Sequence, residues 1–163
     1  MQNLKAFRVI VLASAAALAP NASAQGLPTQ KLLTLEVAQT IAQEALAKCR
    51  AGGYKVTVTV VDHANVLKAF LRDDGSRMET VENSRMKAYT VIVNGRASSP
   101  PANLPPGTPV PPAVLPGTVN QLGGLPILVG DQVIGAVAVS GAPAELDVEC
   151  GKVALAKVAD KLK

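Results

Sequence analysis

The run at residues 133–140, VIGAVAVS, constrains the fold more than any other part of the chain. Val137 and Val139 share one parity and Ile134, Ala136 and Ala138 the other, so a strand built from it is apolar on both faces. Such a strand belongs in the middle of a sheet covered on both sides, or at a contact between subunits. Gly135 removes a side chain midway and lets another backbone or a ligand approach. A second apolar run, 125–129, precedes it across Gly130-Asp131-Gln132. Glycine followed by polar residues between two such runs signals a hairpin, because glycine supplies the positive φ of a tight turn.

The rest of the chain supplies what covers this hairpin. Thr34 is a candidate N-cap, with Glu36 in the first turn where a carboxylate suits the helix dipole. Ala38, Ile41, Ala42, Ala45 and Cys49 then recur at helical spacing, predicting a helix over 35–51 with Cys49 on its buried face, ended by Gly52-Gly53. Residues 56–61 are β-branched throughout and read as a strand. Asp62-His63-Ala64-Asn65 reads as a turn and 66–71 as the return strand. From 79 to 94 the pattern is helical again, with Val81, Arg85, Ala88 and Ile92 along one stripe, Ser84, Lys87 and Val91 along another, and Gly95 as C-cap. Residues 98–119 contain eight prolines and no charge, so helix and central strand are excluded there; the segment is either a mobile insertion or a lid or subunit contact. Pro143-Ala144 opens a last helix running to the C-terminus with Cys150, Ala154 and Val158 on one stripe. Two hairpins joined through helices predict an antiparallel α+β sheet carrying the N- and C-terminal helices.

Residues 1–24 have the form of an export signal: Lys5 and Arg8, an apolar stretch at 9–19, and Ala22-Ser23-Ala24 as a cleavage site. The apolar stretch is about half the ~20 residues a membrane-spanning helix needs. The expected mature chain is therefore periplasmic or secreted, with a leader at 25–33 and one domain at 34–163, and no membrane contact after cleavage. Without Lys5 and Arg8 it carries 14 Lys and Arg against 12 Asp and Glu. A charge of +2 with 2% aromatic residues offers neither a phosphate-binding surface nor stacking platforms, so nucleic acid is not an expected partner. Cys49 and Cys150 are the only cysteines, and both survive processing into an oxidising compartment. A disulfide tying the first helix to the last is the favoured reading; two separately buried thiols are the alternative.

Motifs with a defined chemistry are scarce. Gly123-Gly124 lacks the spacing and lysine of a phosphate loop, no CxxC occurs, no serine sits in G-x-S-x-G, and one histidine cannot build a multi-histidine metal site. The polar candidates are Asp62 and His63 at one strand end, Arg72, Asp73 and Asp74 at another, and Arg85, Lys87 and Tyr89 on the middle helix. Arg85 and Lys87 are about 200° apart around that helix, so only one can face a given pocket.

VTVTVVDHANVLKAFLRDDGS, ENSRMKAYT, GGLPILVGDQVIGAVAVSG and the Asp147/Cys150 helix together resemble the GlcG/HbpS family, to which the PduO C-terminal domain is related. The matching pattern is a VVD-x-x-G hairpin, a D-G turn, a K-A-x-T helix, and G-G-x-P-I followed by I-G-A-x-x-V-S-G. Asn65 stands where the pattern has a turn glycine, and the Pro-rich insert replaces a shorter connection. The resemblance implies a profilin-like α+β fold, a homo-oligomer, and haem or another small molecule as ligand, in haem or iron handling or redox sensing. On that basis His63, the only imidazole, is the candidate metal ligand, with Tyr89 and Thr90 as hydroxyl alternatives. Arg85 and Lys87 are the candidate partners of propionates, and Gly123 and Gly124 the ligand-facing edge. Two other readings remain: an enzyme using Asp62/His63 and Arg85/Tyr89 for acid–base work and anion binding, and an assembly or signalling module.

Overall fold

A computed structural model describes residues 29–163; the expected export signal at 1–24 and the expected leader up to 28 lie outside the described residues. Thr34 caps helix α1 (Leu35–Ala51), its hydroxyl accepting the Val37 N–H at 3.3 Å. Strands β1 (Thr57–Asp62) and β2 (Leu67–Arg72), helix α2 (Glu79–Asn94), strands β3 (Gly124–Val129) and β4 (Gln132–Ser140) and helix α3 (Ala144–Lys157) follow. The last helix is shorter than its stripe predicts: it ends at Lys157, and a 3-10 turn (Ala159–Lys161) with i→i+3 hydrogen bonds follows.

The four strands form one antiparallel sheet in the order β2-β1-β4-β3. The strand with no polar face, β4, is therefore central and covered on both sides, as its two apolar parities require. Gly130 at φ 58° opens the two-residue β3–β4 turn, and Asn65 at φ 61° serves the β1–β2 turn in place of a glycine. A Cβ at Gly135 would meet the Val61 carbonyl of β1 and the Leu33 side chain, so the close approach this glycine permits is to the protein itself. Leu33, the last leader residue, is only 3% exposed and belongs to the core.

The two faces of the sheet are held differently. On one, Val58, Val60, Val137 and Val139 pack with Ile41, Ala42, Ala45 and Ala154 of α1 and α3. Cys49 and Cys150 are bridged, with Cα atoms 5.7 Å apart, and the bond clasps the end of α1 to α3. On the other face α2 meets only a small apolar cluster: Val61, Ala136 and Ala138 against Ala88 and Val91. Beside it the contact is made by hydroxyls. Thr57 Oγ1 lies 2.7 Å from Thr80 Oγ1, and Thr59 Oγ1 lies 2.7 Å from Ser84 Oγ. The buried side of α2 is thus Thr80, Ser84, Lys87, Ala88 and Val91, whereas Arg85 of the other stripe is exposed. Residues 98–119 form turns with no helix or strand. They are anchored at one end by Ser98, whose Oγ accepts the Gly124 N–H at 2.8 Å, and at the other by Val119, which donates to Thr90 at 2.9 Å.

Candidate functional site

Lys87 sits on the sheet-facing side of α2, and its side chain runs to the C-terminal end of β4. Nζ donates to the Val139 carbonyl at 2.9 Å and to Asp147 Oδ2 at 2.9 Å. Asp147 is in the first turn of α3, and its Oδ1 accepts the Ala142 N–H at 3.0 Å. The two side chains are 4% and 3% exposed, so this is a buried ion pair. Burial pushes the Asp147 carboxyl above the usual carboxylate range, more than Lys87 and the N–H groups of Ala142 and Gly141 pull it down. Gly123 and Gly124 create the room for Lys87. A Cβ at Gly123 would lie 2.7 Å from Lys87 Nζ, and one at Gly124 would lie 2.7 Å from the Lys87 carbonyl. Both glycines are buried, so the expected ligand-facing edge is instead the seat of a lysine.

The pair forms part of the wall of a cleft of about 410 Å³, completed by Arg77 and Asn83, by Leu122 and Ser140, and by the start of α3. That volume lies in the range of small-ligand sites, ~300–1,000 Å³. Lysine has three N–H donors and two are engaged here, which leaves one.

The other sequence candidates lie elsewhere. Asp62 is a turn residue: Oδ1 accepts the N–H groups of Ala64 and Val66, each at 2.9 Å. His63 is half-buried on the same turn, and its Nδ1 is buried without a hydrogen-bond partner among the described residues. Arg85 faces this hairpin, lining a small depression of about 100 Å³ with Thr59, Val61, Asn65 and Leu67. Lys87 and Arg85 therefore serve different places, as their angular separation requires. Tyr89 lies under the Pro-rich segment, its ring carbons 3.4 Å from the Cβ position of Gly117. Thr90 is buried, donates to the Met86 carbonyl at 2.8 Å and accepts from Val119, so its hydroxyl is engaged. The depression at Arg85 is lined by none of Asp62, His63 and Tyr89, and the four do not share it.

Asp147 was the residue whose role the pattern hid. It lies three before Cys150 on the stripe continued by Ala154 and Val158, and a carboxylate on a buried stripe must find a cation. Ser140 stood only as the serine of the V-S-G pattern, and Arg77 carried no signal.

These features define a class: a single antiparallel sheet, a disulfide-linked helix pair on one face, and a hydroxyl-tethered helix that carries a buried lysine on the other. The family described as haem degrading protein HbpS-like matches residues 33–156, and the chain belongs to it. Protein ORFY of Klebsiella pneumoniae, from the DUF336 family, is 26% identical, covering 84% of this chain and 98% of its own, with a TM-score of 0.73. A double mutant of HbpS from Streptomyces reticuli is 28% identical over 88% of this chain and 99% of its own, with a TM-score of 0.71. PduOC, solved as a haem complex, shares the fold at 20% identity over 77% of this chain and 94% of its own, with a TM-score of 0.67. No curated protein is similar enough to count as a relative.

Proposed function

We propose that this chain is an exported haem- or small-ligand-binding protein, and that haem meets it at the β1–β2 turn beside Arg85. Membership of the HbpS-like family supports a haem-related binding role. The observation that carries the placement is His63: it is the one imidazole of the sequence, and it stands half-buried on that turn. Imidazole is a usual axial donor to haem iron. Around the turn, Val66 and Leu67 are exposed and suit an apolar ring, and exposed Arg85 suits a propionate. Bound haem would supply an iron centre, in keeping with haem handling or redox sensing.

Two further parts of the proposal have their own support. The disulfide agrees with an oxidising compartment, and so with export directed by residues 1–24. Exposed Val66 and Leu67, where the turn enters the edge strand β2, favour a homo-oligomer, which light scattering on the mature protein tests; a clean monomer contradicts it.

Haemin titration of mature protein purified without added haem tests the main proposal. The expected result is a saturable Soret shift, lost in His63→Ala and weakened in Arg85→Ala. Absence of any Soret change in the wild type sinks the haem reading, and an unchanged spectrum in His63→Ala removes the imidazole from it.

A further inference from the structure

We propose that the cleft beside Lys87 and Asp147 is a second site, which takes the carboxylate of a small organic acid. This does not rest on the haem reading. The argument begins with Ser140. It lies at the end of the central strand, 5% exposed, and lines the cleft, and no side-chain hydrogen bond ties it to the rest of the described residues. A hydroxyl that opens onto a cleft from an otherwise buried residue is free to pair with whatever enters.

The other uncommitted groups around Ser140 are donors. Lys87 keeps one N–H after its bonds to Val139 and Asp147. Helix α3 is 14 residues long and starts at Ala144. The N–H groups of Leu146 and Asp147 turn back to the Pro143 carbonyl, while those of Ala144 and Glu145 have no such partner. Both residues line the cleft, where the helix dipole adds partial positive charge. The buried carboxylate is already satisfied, since Asp147 Oδ2 accepts from Lys87 and Oδ1 from Ala142. Arg77 stands exposed at the rim, sharing its guanidinium with Glu79 at 2.9 Å. Two carboxylates oppose an anion: Asp147, paired with Lys87, and Glu145, which is exposed.

A hydroxyl, an ammonium N–H and two backbone N–H groups call for a ligand atom that accepts several hydrogen bonds at once. A carboxylate does so, and a neutral amide oxygen does so less well. Leu122, Pro100 and Val110 give the cleft an apolar wall, which suits an organic body and gives inorganic phosphate nothing to pack against.

The test follows backbone amide signals of the disulfide-intact mature protein by NMR. The probes are benzoate and isovalerate, with benzamide and inorganic phosphate as controls. The two acids are expected to shift the Ser140, Ala144 and Glu145 signals saturably, and the controls are not. Ser140→Ala, which removes only an unpaired hydroxyl, is expected to weaken benzoate roughly tenfold, the worth of one charge-assisted hydrogen bond. Arg77→Ala, at the exposed rim, weakens it less and guards against a folding artefact. No saturable shift with either acid overturns the proposal. So does an equal response to benzamide or phosphate, or unchanged benzoate binding in Ser140→Ala.

Discussion

Replacing Asp147 by asparagine should be among the most damaging conservative changes in this protein. The pair it breaks is 2.9 Å apart, with side chains 4% and 3% exposed. At an effective dielectric near 20, opposite charges at that separation attract by about 6 kcal/mol, and most of this offsets the cost of desolvating them. Removing one partner leaves the other buried and uncompensated, which costs up to about 3–5 kcal/mol, less the desolvation that a neutral side chain no longer suffers. Asparagine fills the same space but has one acceptor oxygen where aspartate has two. Either Lys87 or the Ala142 N–H must therefore lose its partner. At roughly 3 °C per kcal/mol for a domain of this size, the melting midpoint falls by up to about 10–15 °C. Urea unfolding at neutral pH, with the disulfide intact, measures the loss directly.

Two companion measurements separate charge from packing. In Lys87→Met/Asp147→Leu no buried charge remains, and at least half of the lost stability should return. The pH dependence supplies the second. Folding raises the Asp147 pKa, so the folded chain holds that proton at pH values where the unfolded chain has released it. This group's contribution to stability therefore falls as pH rises from the ordinary carboxylate range toward its folded pKa, and Asp147→Asn abolishes that component. A cost for Asp147→Asn below about 1 kcal/mol would place the pair in the solvent-screened regime and refute the reasoning. A double variant no more stable than the single would show that shape, not charge, governs the site.

Three other outcomes follow from the same coordinates. Cys49→Ala/Cys150→Ala opens a loop spanning 101 residues and should lower stability by about 2–5 kcal/mol, read as the urea midpoint with and without the bridge. Ser84→Ala strands the buried Thr59 hydroxyl and should cost about 1–3 kcal/mol, whereas Thr59→Val/Ser84→Ala should lie near wild type; equal costs for both would contradict the hydroxyl pairing. The Arg50 guanidinium holds the Asp73 carboxyl below its usual range through bonds of 2.9 and 2.8 Å, so that contribution is present above the unfolded carboxylate pKa and lost as pH falls below it. Arg50→Ala should flatten the acid limb of a stability–pH curve while changing little in the basic range.

How much of this was legible in the sequence depends on whether a residue's role is set by its own element. Helix α1, its Thr34 cap and the buried face of Cys49 follow from spacing within 17 residues, and the structure agrees with all three. The central place of β4 follows from having no polar face. The candidate site divided differently. Arg85, Lys87 and Tyr89 occur within five residues, but helical geometry sends them to the hairpin, the cleft and the underside of the Pro-rich segment. Periodicity alone offered two stripes, Val81–Arg85–Ala88–Ile92 and Ser84–Lys87–Val91, and did not choose between them. The helix buries Thr80 and Ser84, because Thr57 and Thr59 across the interface present hydroxyls. That match is between strands and a helix some 25 residues on, and no local pattern carries it. Ser140 stood within the I-G-A-x-x-V-S-G pattern, but a serine at a strand end has no evident role until its surroundings are known.

The small residues of the β3–β4 hairpin acquire a purpose once α2 is in place. Ala136 and Ala138 on β4 meet Ala88 and Val91, so little bulk separates the helix from the sheet. Gly123 and Gly124 remove the last obstruction, with Val91 Cγ2 2.9 Å from the Cβ position of Gly124. Only at that close approach can the Lys87 stem reach past the sheet to the Val139 carbonyl and Asp147. A larger residue at any of these positions would lift α2 and pull the ammonium from its two acceptors. The hairpin carries few reactive side chains, yet it sets the position of the one buried cation in the cleft wall. Its alanines and glycines are therefore part of the site's geometry as much as of the core, and Gly124→Ala should disturb the cleft before it disturbs the α1–α3 side of the sheet.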